Sequence, residues 1–511
     1  MNDSTRTFDT VVVGAGSAGC VLAARLSEDP GRRVLLLESG PDYPTVTSLP
    51  ADIADGGTLA WSHDWGYVEE PDGDGRRQSL PRGRLVGGCS AVNACFALRG
   101  APADYDAWAA AGNPGWSFAD VLPVFRALER DLDFGDRPWH GSTGQLPIRR
   151  YGPRELTVLH RTLIDASISA GHPPVADHNA PDAVGAGPTP VNCVDGRRIS
   201  AAMAFLTADV RSRPNLEIRA GATVDRIDVR AGRAGAVRLV DPSERIVAGT
   251  IVLAAGAYGS PSILLRSGVG PADELRALGI APTIDLPGVG RGLADHPGIS
   301  LELTWPADQP IRPAFQSVVT FRSSGAGPEG SPDLQIFGAG PWPTDERQTG
   351  KVASVNCSVL RPQSRGWLKL RSTDPEDPPR IDLGHLGEDA DMDRMVEAIN
   401  AARRIVSTPP FEEVADLASM TPSRAVLDND RDLRAWLRRS VWTYHHVAGS
   451  CRMGPDPASG DVVDAAGRVH GTGNLVVADA SVMPAIPSAN TNVPTMMVAH
   501  RIAGIIASER G

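Results

Sequence analysis

A glycine-rich hexapeptide near the start of the chain constrains its fold more than any other feature. Gly14-Ala15-Gly16-Ser17-Ala18-Gly19 has the spacing GxGxxG, and the apolar run 8–13 before it predicts a buried strand. Residues 18–27 predict a helix, and residues 33–38 predict a second strand, which together make a βαβ unit. In such a unit a glycine loop and the following helix N-terminus bind a pyrophosphate. The sequence therefore predicts a dinucleotide-binding α/β fold.

Each glycine of the hexapeptide has its own part in this prediction. Gly14 permits the tight turn, Gly16 lets a pyrophosphate approach the backbone, and Gly19 allows the helix to pack closely on the strand. Glu38 ends the second predicted strand, where its carboxylate would accept a hydrogen bond from a ribose hydroxyl. Both FAD and NAD carry that ribose, so these residues leave the choice of cofactor open. The candidate cofactor-binding residues of this unit are Gly14, Gly16, Ser17, Ala18, Gly19 and Glu38.

Length, charge and cysteine spacing exclude several classes of protein. The chain has 511 residues and a formal net charge of −11, which argues against a nucleic-acid partner and an anionic membrane surface. The weakly polar run 10–24 is shorter than the roughly 20 residues that a membrane-spanning helix needs, and Asp3 and Asp9 are atypical of a signal peptide. The six cysteines form no CxxC pair, so we expect reduced thiols, no metal site and a cytoplasmic location.

Further motifs resemble a known flavoenzyme family. Gly83-Arg84-Leu85-Val86-Gly87-Gly88-Cys89-Ser90-Ala91-Val92-Asn93 resembles the first signature of the glucose–methanol–choline (GMC) flavin oxidoreductases, and the segment 256–270 resembles the second. Gly290-Arg291-Gly292-Leu293-Ala294-Asp295-His296 and Val477-Ala478-Asp479-Ala480-Ser481 also resemble family elements. The matches extend over essentially the whole chain in the family's order. Within the family, the sequence is most similar to bacterial choline-dehydrogenase-like and 5-hydroxymethylfurfural-oxidase-like members.

This resemblance implies FAD rather than NAD. Gly87 and Gly88 would leave room beside the cofactor, because no Cβ intervenes. The resemblance also places other residues along FAD: Asn93 by the flavin, Val224 at the adenine, and Asp479 and Ala480 by the ribityl-pyrophosphate. Some relatives attach the flavin covalently through a His in the first signature; here that position is Val92, so we expect noncovalent FAD.

Two residues are the candidates for catalysis. The stretch from Trp442 to Ser450 resembles the family's His-x-x-Gly-Thr element, and counting back from Gly449 selects His446. A neutral imidazole is suited to accept the hydroxyl proton of an alcohol while hydride passes to flavin N5. The family's second position, a His or an Asn, corresponds to Asn490, which can donate a hydrogen bond to the alkoxide oxygen.

Other residues near these two have alternative interpretations. His445 is either a pocket wall or a contributor to catalysis, with Trp442 and Tyr444 as further pocket-wall candidates. His296 is interpreted as structural. Asn492 is the nearest rival to Asn490, and its alternative role is to cap the last helix.

The predicted architecture is α/β (α+β overall), with a Rossmann-like FAD-binding domain and a substrate domain whose antiparallel sheet is backed by helices. The predicted function is oxidation of an alcohol to an aldehyde or ketone, with dioxygen or another acceptor reoxidising the flavin. A hydroxynitrile-lyase-type member of the same fold and a noncatalytic flavoprotein are the alternatives. The FAD domain is predicted to comprise residues 1–154, 200–297 and 446–511, and the substrate domain residues 155–199 and 298–445.

Overall fold

The computed structural model describes residues 7–71, 73, 75–242, 244–306, 308–327, 330–343 and 351–509. Its strands, in chain order, are β1 Thr7–Val13, β2 Val34–Leu37, β3 Glu129–Asp131, β4 Leu146–Ile148, β5 Gly185–Pro188, β6 Cys193–Val194, β7 Arg197–Arg198, β8 Leu216–Arg219, β9 Val224–Arg230, β10 Arg233–Leu239, β11 Arg245–Leu253, β12 Val269–Gly270, β13 Ile284–Asp285, β14 Arg291–Leu293, β15 Pro297–Trp305, β16 Ser317–Phe321, β17 Leu334–Pro343, β18 Lys351–Val359, β19 Gly366–Lys369, β20 Arg380–Asp382, β21 Asp416–Thr421, β22 Trp442–Thr443 and β23 Leu475–Val477. Its α-helices are α1 Ser17–Leu26, α2 Ala51–Ala54, α3 Pro102–Ala110, α4 Phe118–Leu128, α5 Val158–Ser169, α6 Ala201–Phe205, α7 Ala208–Arg211, α8 Gly256–Arg266, α9 Ala272–Ala277, α10 Asp389–Val406, α11 Pro409–Glu412, α12 Arg424–Leu427, α13 Asp430–Ser440 and α14 Asn492–Ser508.

The first large sheet carries the predicted βαβ unit. Its strands run in the order β8-β2-β1-β11-β10-β9, and β23 also pairs with β11. The pairs among β8, β2, β1, β11 and β23 are parallel, whereas β9 and β10 are antiparallel. Residues of β1 such as Val11 and Val12 are fully buried, as expected for a parallel strand covered on both faces. Helix α1, which covers β1 and β2, also packs against the C-terminal helix α14.

The second large sheet is antiparallel throughout. Its order is β21-β15-β18-β17-β16-β5, with β22 paired to β15. Helices α5, α10 and α13 share an apolar core with one face of this sheet. The side chains of Ile299, Leu301 and Leu303, alternate residues of β15, point into that core. The opposite face is therefore free to line a site, and the predicted antiparallel sheet backed by helices is confirmed.

The predicted elements near the N-terminus agree with the structure to within about one residue. The acidic segment 389–393 begins helix α10 as expected, and carboxylates there favour the helix dipole. Strand β5, from the segment 155–199 of the predicted substrate domain, joins the second sheet. We propose the discontinuous two-domain division on these two sheets and their separate apolar cores.

Among the described residues, no helix combines the length and the apolar character that crossing a bilayer would require.

Candidate active site

A cavity of about 850 Å³ is lined by residues of both large sheets. Its volume lies in the upper part of the usual range for cofactor and ligand sites, about 300–1,000 Å³. Its lining includes the loop between β1 and α1 and residues of β15, β17 and β18.

The glycine loop brings three backbone segments into contact. Gly14 has φ of +96°, and a Cβ there would lie 2.6 Å from the Ala254 carbonyl oxygen. A Cβ on Gly19 would lie 1.8 Å from the Gly14 carbonyl oxygen, so this glycine allows α1 to pack against the loop. Gly16 is different, because its nearest neighbour is Gly88 Cα at 3.8 Å, and Gly16 lines the cavity. The roles expected for Gly14 and Gly19 are thus visible as contacts, whereas Gly16 leaves open space for a ligand.

The N-terminus of α1 opens into the cavity without a side-chain cap. Gly16 occupies the N-cap position, no side chain bonds to the first turn, and that turn holds no acidic residue. Ser17 and Ala18 line the cavity beside it. Free N–H groups and the positive end of a helix dipole favour an anion such as a pyrophosphate.

Glu38 lies on the cavity wall with both carboxylate oxygens bonded to the backbone. Oε2 accepts from the N–H of Ala15 at 2.9 Å, and Oε1 accepts from the N–H of Gly40 at 2.9 Å. Burial raises the pKa of this carboxyl, and the backbone N–H groups oppose that effect. Each oxygen keeps a lone pair that can accept from a ribose hydroxyl. Val224 lies on the cavity wall as well.

The first-signature glycines differ in their position relative to the cavity. Gly88 lines it, and a Cβ there would lie 2.6 Å from Gly16 Cα. Gly87 is not among the lining residues; its N–H donates to the Ala15 carbonyl at 2.7 Å and so fixes the two loops together. Asn93 lines the cavity, and its Oδ1 accepts from the N–H of Cys95 at 3.0 Å.

Asp479 is a buried anchor for helix α8. Its Oδ2 accepts from the N–H of Gly256 at 2.9 Å and from Ser260 Oγ at 2.6 Å. Its Oδ1 accepts from the N–H of Ser481 at 2.8 Å, and burial raises the pKa of this carboxyl. Asp479 and Ala480 both line the cavity beside the start of α8, and their place along the ribityl-pyrophosphate stays a prediction.

These contacts fit FAD as the ligand of the long cavity. The helix end suits a pyrophosphate, Glu38 suits a ribose, and the touching glycines leave the wall free of side chains where a dinucleotide would lie.

The structure brings His446 and Asn490 together. Asn490 Nδ2 lies 3.0 Å from His446 Nε2, although 44 positions separate them in the chain. Both line the cavity, and each side chain is mostly buried, with about 8% exposed. Asn490 is followed by Thr491, the N-cap of α14, whose first turn is not capped by a side chain. The rival Asn492 is the first residue of α14, and its Oδ1 accepts from Ser17 Oγ at 2.7 Å.

The loop that carries Asn490 is held by a buried carboxylate. Asp104 Oδ1 accepts from Ser488 Oγ at 2.8 Å, and Oδ2 accepts from the Ser488 N–H at 2.8 Å and from the Ala101 N–H at 2.9 Å. Asp104 belongs to α3 and was not singled out by the sequence.

Three further residues surround His446. Its Nδ1 lies 3.0 Å from Nδ1 of His296, and its backbone N–H donates to Asp295 Oδ1 at 2.7 Å. Thr443 Oγ1 donates to the other oxygen of Asp295 at 2.5 Å. Burial lowers the pKa of His446 well below its ordinary value, His296 lowers it further, and the Asp295 carboxylate opposes both. His296, interpreted from the sequence as structural, thus lies in direct contact with the candidate base.

The hydrogen bonds around His446 assign its tautomer. The Asn490 amide nitrogen can only donate, so Nε2 of His446 accepts. A neutral imidazole that accepts at Nε2 carries its proton at Nδ1, and that N–H donates to His296 Nδ1. Burial lowers the pKa of His296 to about 4, which keeps it neutral and able to accept.

The three predicted pocket-wall residues all line the cavity. The Tyr444 ring stacks on Phe337 with centroids 4.8 Å apart, and its hydroxyl donates to Gln335 Oε1 at 2.9 Å. Trp442 Nε1 donates to Ser300 Oγ at 3.1 Å. His445 has φ of +66°, and burial lowers its pKa to about 4.

One buried group away from the cavity has a geometry that a metal ion could use. The ligand atoms of Glu129, Asp131 and His140 lie within 4.8 Å of one another. Arg99 Nη2 donates to Glu129 at 3.1 Å, and Arg150 Nη1 donates to Asp131. The two guanidinium groups compensate the carboxylates, so this cluster is explained as an ion-pair network, and the absence of a metal site remains a prediction.

Comparisons with known proteins agree with this geometry. The family model for the N-terminal part of GMC oxidoreductases matches residues 8–298, and the model for their C-terminal part matches residues 362–499. The 5-(hydroxymethyl)furfural oxidase of Methylovorus sp. (strain MP688) is 36% identical, over 98% of this chain and 99% of that protein. The oxygen-dependent choline dehydrogenase of Burkholderia pseudomallei (strain 1710b) is 35% identical, over 99% of this chain and 95% of that protein.

A solved structure shows the same fold over the whole chain. Pyridoxine 4-oxidase from Mesorbium loti superposes with a TM-score of 0.89 at 33% identity, covering 98% of this chain and 99% of that chain. With two family models, relatives matched over their full length and a cavity that fits the cofactor, this chain belongs to the GMC oxidoreductase family and is an FAD-dependent alcohol oxidoreductase.

Proposed function

We propose that the protein oxidises an alcohol to an aldehyde or ketone with His446 as the general base and Asn490 as the hydrogen-bond donor to the alcohol oxygen. The observation that carries this proposal is the 3.0 Å contact between Asn490 Nδ2 and His446 Nε2 on the cavity wall. Bound FAD supplies the acceptor, at its N5, for the hydride that leaves the carbinol carbon.

His446 takes the proton of the alcohol. An alcohol placed between the two side chains donates its O–H to His446 Nε2 and accepts from Asn490 Nδ2–H, which replaces their direct contact. The carbinol loses a hydride and a proton, that is two electrons and two protons in all, and its C–O bond becomes a carbonyl. Because burial keeps His446 neutral near neutral pH, the base is ready before substrate binds.

The N-terminus of α14 lies at the same wall. Thr491, Asn492 and Thr495 line the cavity, and the uncapped first turn presents its positive end there. A helix N-terminus stabilises nearby negative charge by about 0.3–1 kcal/mol, and more where it is partly buried. This end of the cavity therefore favours a negative charge that develops during oxidation.

Noncovalent binding of FAD is part of the proposal. Val92, at the position where some relatives use a His for attachment, lines the cavity and offers no nucleophile. Acid precipitation should release the flavin into the supernatant, and a flavin that stays with the protein pellet would contradict noncovalent binding.

We also propose an electron acceptor for the reduced flavin and a cellular compartment for the protein. Dioxygen or another acceptor reoxidises the flavin: formation of hydrogen peroxide with an alcohol in air marks an oxidase, and turnover only with a dye or quinone marks a dehydrogenase. All six cysteines are free thiols, which supports a reducing compartment such as the cytoplasm.

Anaerobic mixing with a panel of alcohols tests the function directly. We expect the oxidised-flavin absorbance to bleach with at least one alcohol, whereas turnover with a persisting oxidised spectrum would favour the lyase-type alternative. His446→Ala should lower the rate of bleaching by about 10²–10⁴-fold, the usual contribution of a general base. Asn490→Ala should lower it less. His172→Ala, whose side chain packs against Phe321 outside the cavity, serves as the matched control, and an unchanged rate in flavin-loaded His446→Ala would refute the assignment.

A further inference from the structure

Strands β15 and β18 present a polar patch on the cavity face of the second sheet, beyond the catalytic pair. Ser300 and Glu302 of β15 pair in register with Asn356 and Ser354 of β18, and all four line the cavity. Ser300 Oγ donates to Asn356 Oδ1 at 2.7 Å. A series of contacts leads from His446 to this patch, because the Tyr444 ring lies 4.1 Å from the His446 ring and the Trp442 ring lies next to Tyr444 at 5.9 Å. Trp442 in turn bonds to Ser300.

An aromatic belt separates the catalytic pair from this polar patch. The belt consists of rings that line the cavity and touch one another edge-on or stacked. Phe96 meets both Phe315 and Phe337 with centroids 5.9 Å apart, and Phe337 stacks on Tyr444. Rings of this kind prefer stacked or edge-to-face partners, so the belt suits a flat aromatic group. Its members are Phe96, Phe315, Phe337, Trp342, Trp442 and Tyr444.

Glu302 gives the polar patch its charge. Among the described residues that the second sheet contributes to the lining, Glu302 is the one ionisable side chain. It lies two residues beyond Ser300 on the same face of β15, which is roughly 7 Å further from the catalytic pair along the strand. No described residue forms a hydrogen bond or an ion pair with its carboxylate, so it is available to a ligand.

We propose that the substrate is an aromatic primary alcohol that carries a cationic or hydrogen-bond-donating substituent on the side of the ring opposite the carbinol. The proposal rests on the proposed oxidation at His446. With the carbinol at His446 and Asn490, the ring lies in the aromatic belt and the substituent extends to Ser300, Asn356 and Glu302. A substrate that carries a carboxylate at that end meets the Glu302 carboxylate and is disfavoured.

Three para-substituted benzyl alcohols of similar size test the charge preference. We expect kcat/KM to fall from 4-(aminomethyl)benzyl alcohol to 4-methylbenzyl alcohol to 4-(hydroxymethyl)benzoate. Glu302→Gln should reduce the ratio of the first to the second by about 5-fold, which corresponds to the attraction between two unit charges about 4 Å apart in water. The same variant should raise kcat/KM for the benzoate. Glu413 is an exposed carboxylate that does not line the cavity. Glu413→Gln should therefore leave the ratio of the first alcohol to the second, and kcat/KM for the benzoate, unchanged.

The ring requirement has its own measurement. We expect 6-amino-1-hexanol, which is cationic and lacks a ring, to have a KM at least tenfold above that of 4-(aminomethyl)benzyl alcohol.

The outcomes separate the two proposals. If no alcohol bleaches the flavin, the proposed oxidation fails. If the alcohols bleach it but the benzoate is the best substrate, the oxidation stands and the substrate class is overturned. The same follows if Glu302→Gln leaves the kcat/KM ratio of the aminomethyl to the methyl alcohol unchanged. A KM for 6-amino-1-hexanol equal to that of the aromatic amine would overturn the role of the belt.

Discussion

Nδ1 of His296 lies 3.0 Å from Nδ1 of His446, so the candidate base has a second histidine as its hydrogen-bond partner. With its proton on Nδ1, His446 has an unprotonated Nε2 that faces Asn490 and the cavity. The catalytic histidine of a serine-protease triad also needs one fixed tautomer, and the wrong tautomer there lowers kcat by about 10⁴-fold. His296 therefore acts as a positioning residue for the proposed reaction.

Replacing His296 with an apolar side chain should impair the base without removing it. We expect His296→Leu to lower kcat by about 10–100-fold, the range known for loss of a partner that orients a metal-bound histidine. His296→Asn should recover most of that loss, because the amide oxygen of Asn can accept from His446 Nδ1–H. The measurement is anaerobic flavin reduction at saturating substrate.

Flavin content and thermal unfolding of both variants provide the control for a merely structural effect. Equal losses in the Leu and Asn variants, at wild-type flavin content, would show that the hydrogen bond to His296 does not set the tautomer.

The pH dependence of kcat/KM should report the unusual environment of His446. Because burial lowers the pKa of His446, we expect the acidic limb of the profile to lie below the ordinary histidine pKa of about 6.5. The Asp295 carboxylate favours the protonated imidazole, so Asp295→Asn should move that limb to still lower pH. The Asn side chain keeps an oxygen to accept from the His446 N–H. An acidic limb that moves to higher pH in Asp295→Asn would contradict this electrostatic assignment.

The sequence predicts those parts of the site that depend on neighbouring residues. The turn at Gly14, the helix after it and Glu38 at the end of β2 follow from local spacing, and the structure places them as expected. The contacts of His446 with His296 and of Asp104 with Ser488 join residues 150 and 384 positions apart. No local pattern encodes such pairs, because they arise only when β15, β22, α3 and the loop before α14 pack together. Gly87 is a different case. It belongs to the first signature that the sequence shows, and yet it does not line the cavity.

The glycine loop offers a test of cofactor binding that separates it from folding. A Cβ on Gly16 meets no protein atom closer than 3.8 Å and adds bulk at the cavity wall, so Gly16→Ala should fold and bind FAD at least tenfold more weakly. A Cβ on Gly19 would lie 1.8 Å from the Gly14 carbonyl oxygen, so Gly19→Ala should be poorly folded. Flavin content and circular dichroism distinguish the two, and full flavin occupancy in Gly16→Ala would exclude close approach of the pyrophosphate.

Burial of His160 should make the stability of the fold depend on pH. Burial lowers the pKa of this histidine to about 3, and its Nδ1 lies 2.8 Å from Ser317 Oγ. The unfolded chain takes up a proton near pH 6.5 while the folded chain stays neutral, so stability present above pH 6.5 is lost as the pH falls toward 3. The free energy of unfolding should fall by about 1.4 kcal/mol per pH unit for this one proton. His160→Asn has no such proton to take up on unfolding. The difference in unfolding free energy between wild type and His160→Asn should therefore narrow by about 2–3 kcal/mol between pH 7 and pH 4.5. Ser317→Ala keeps the imidazole and should retain the wild-type slope in urea unfolding, and a His160→Asn slope equal to that of wild type would show that His160 is not the titrating group.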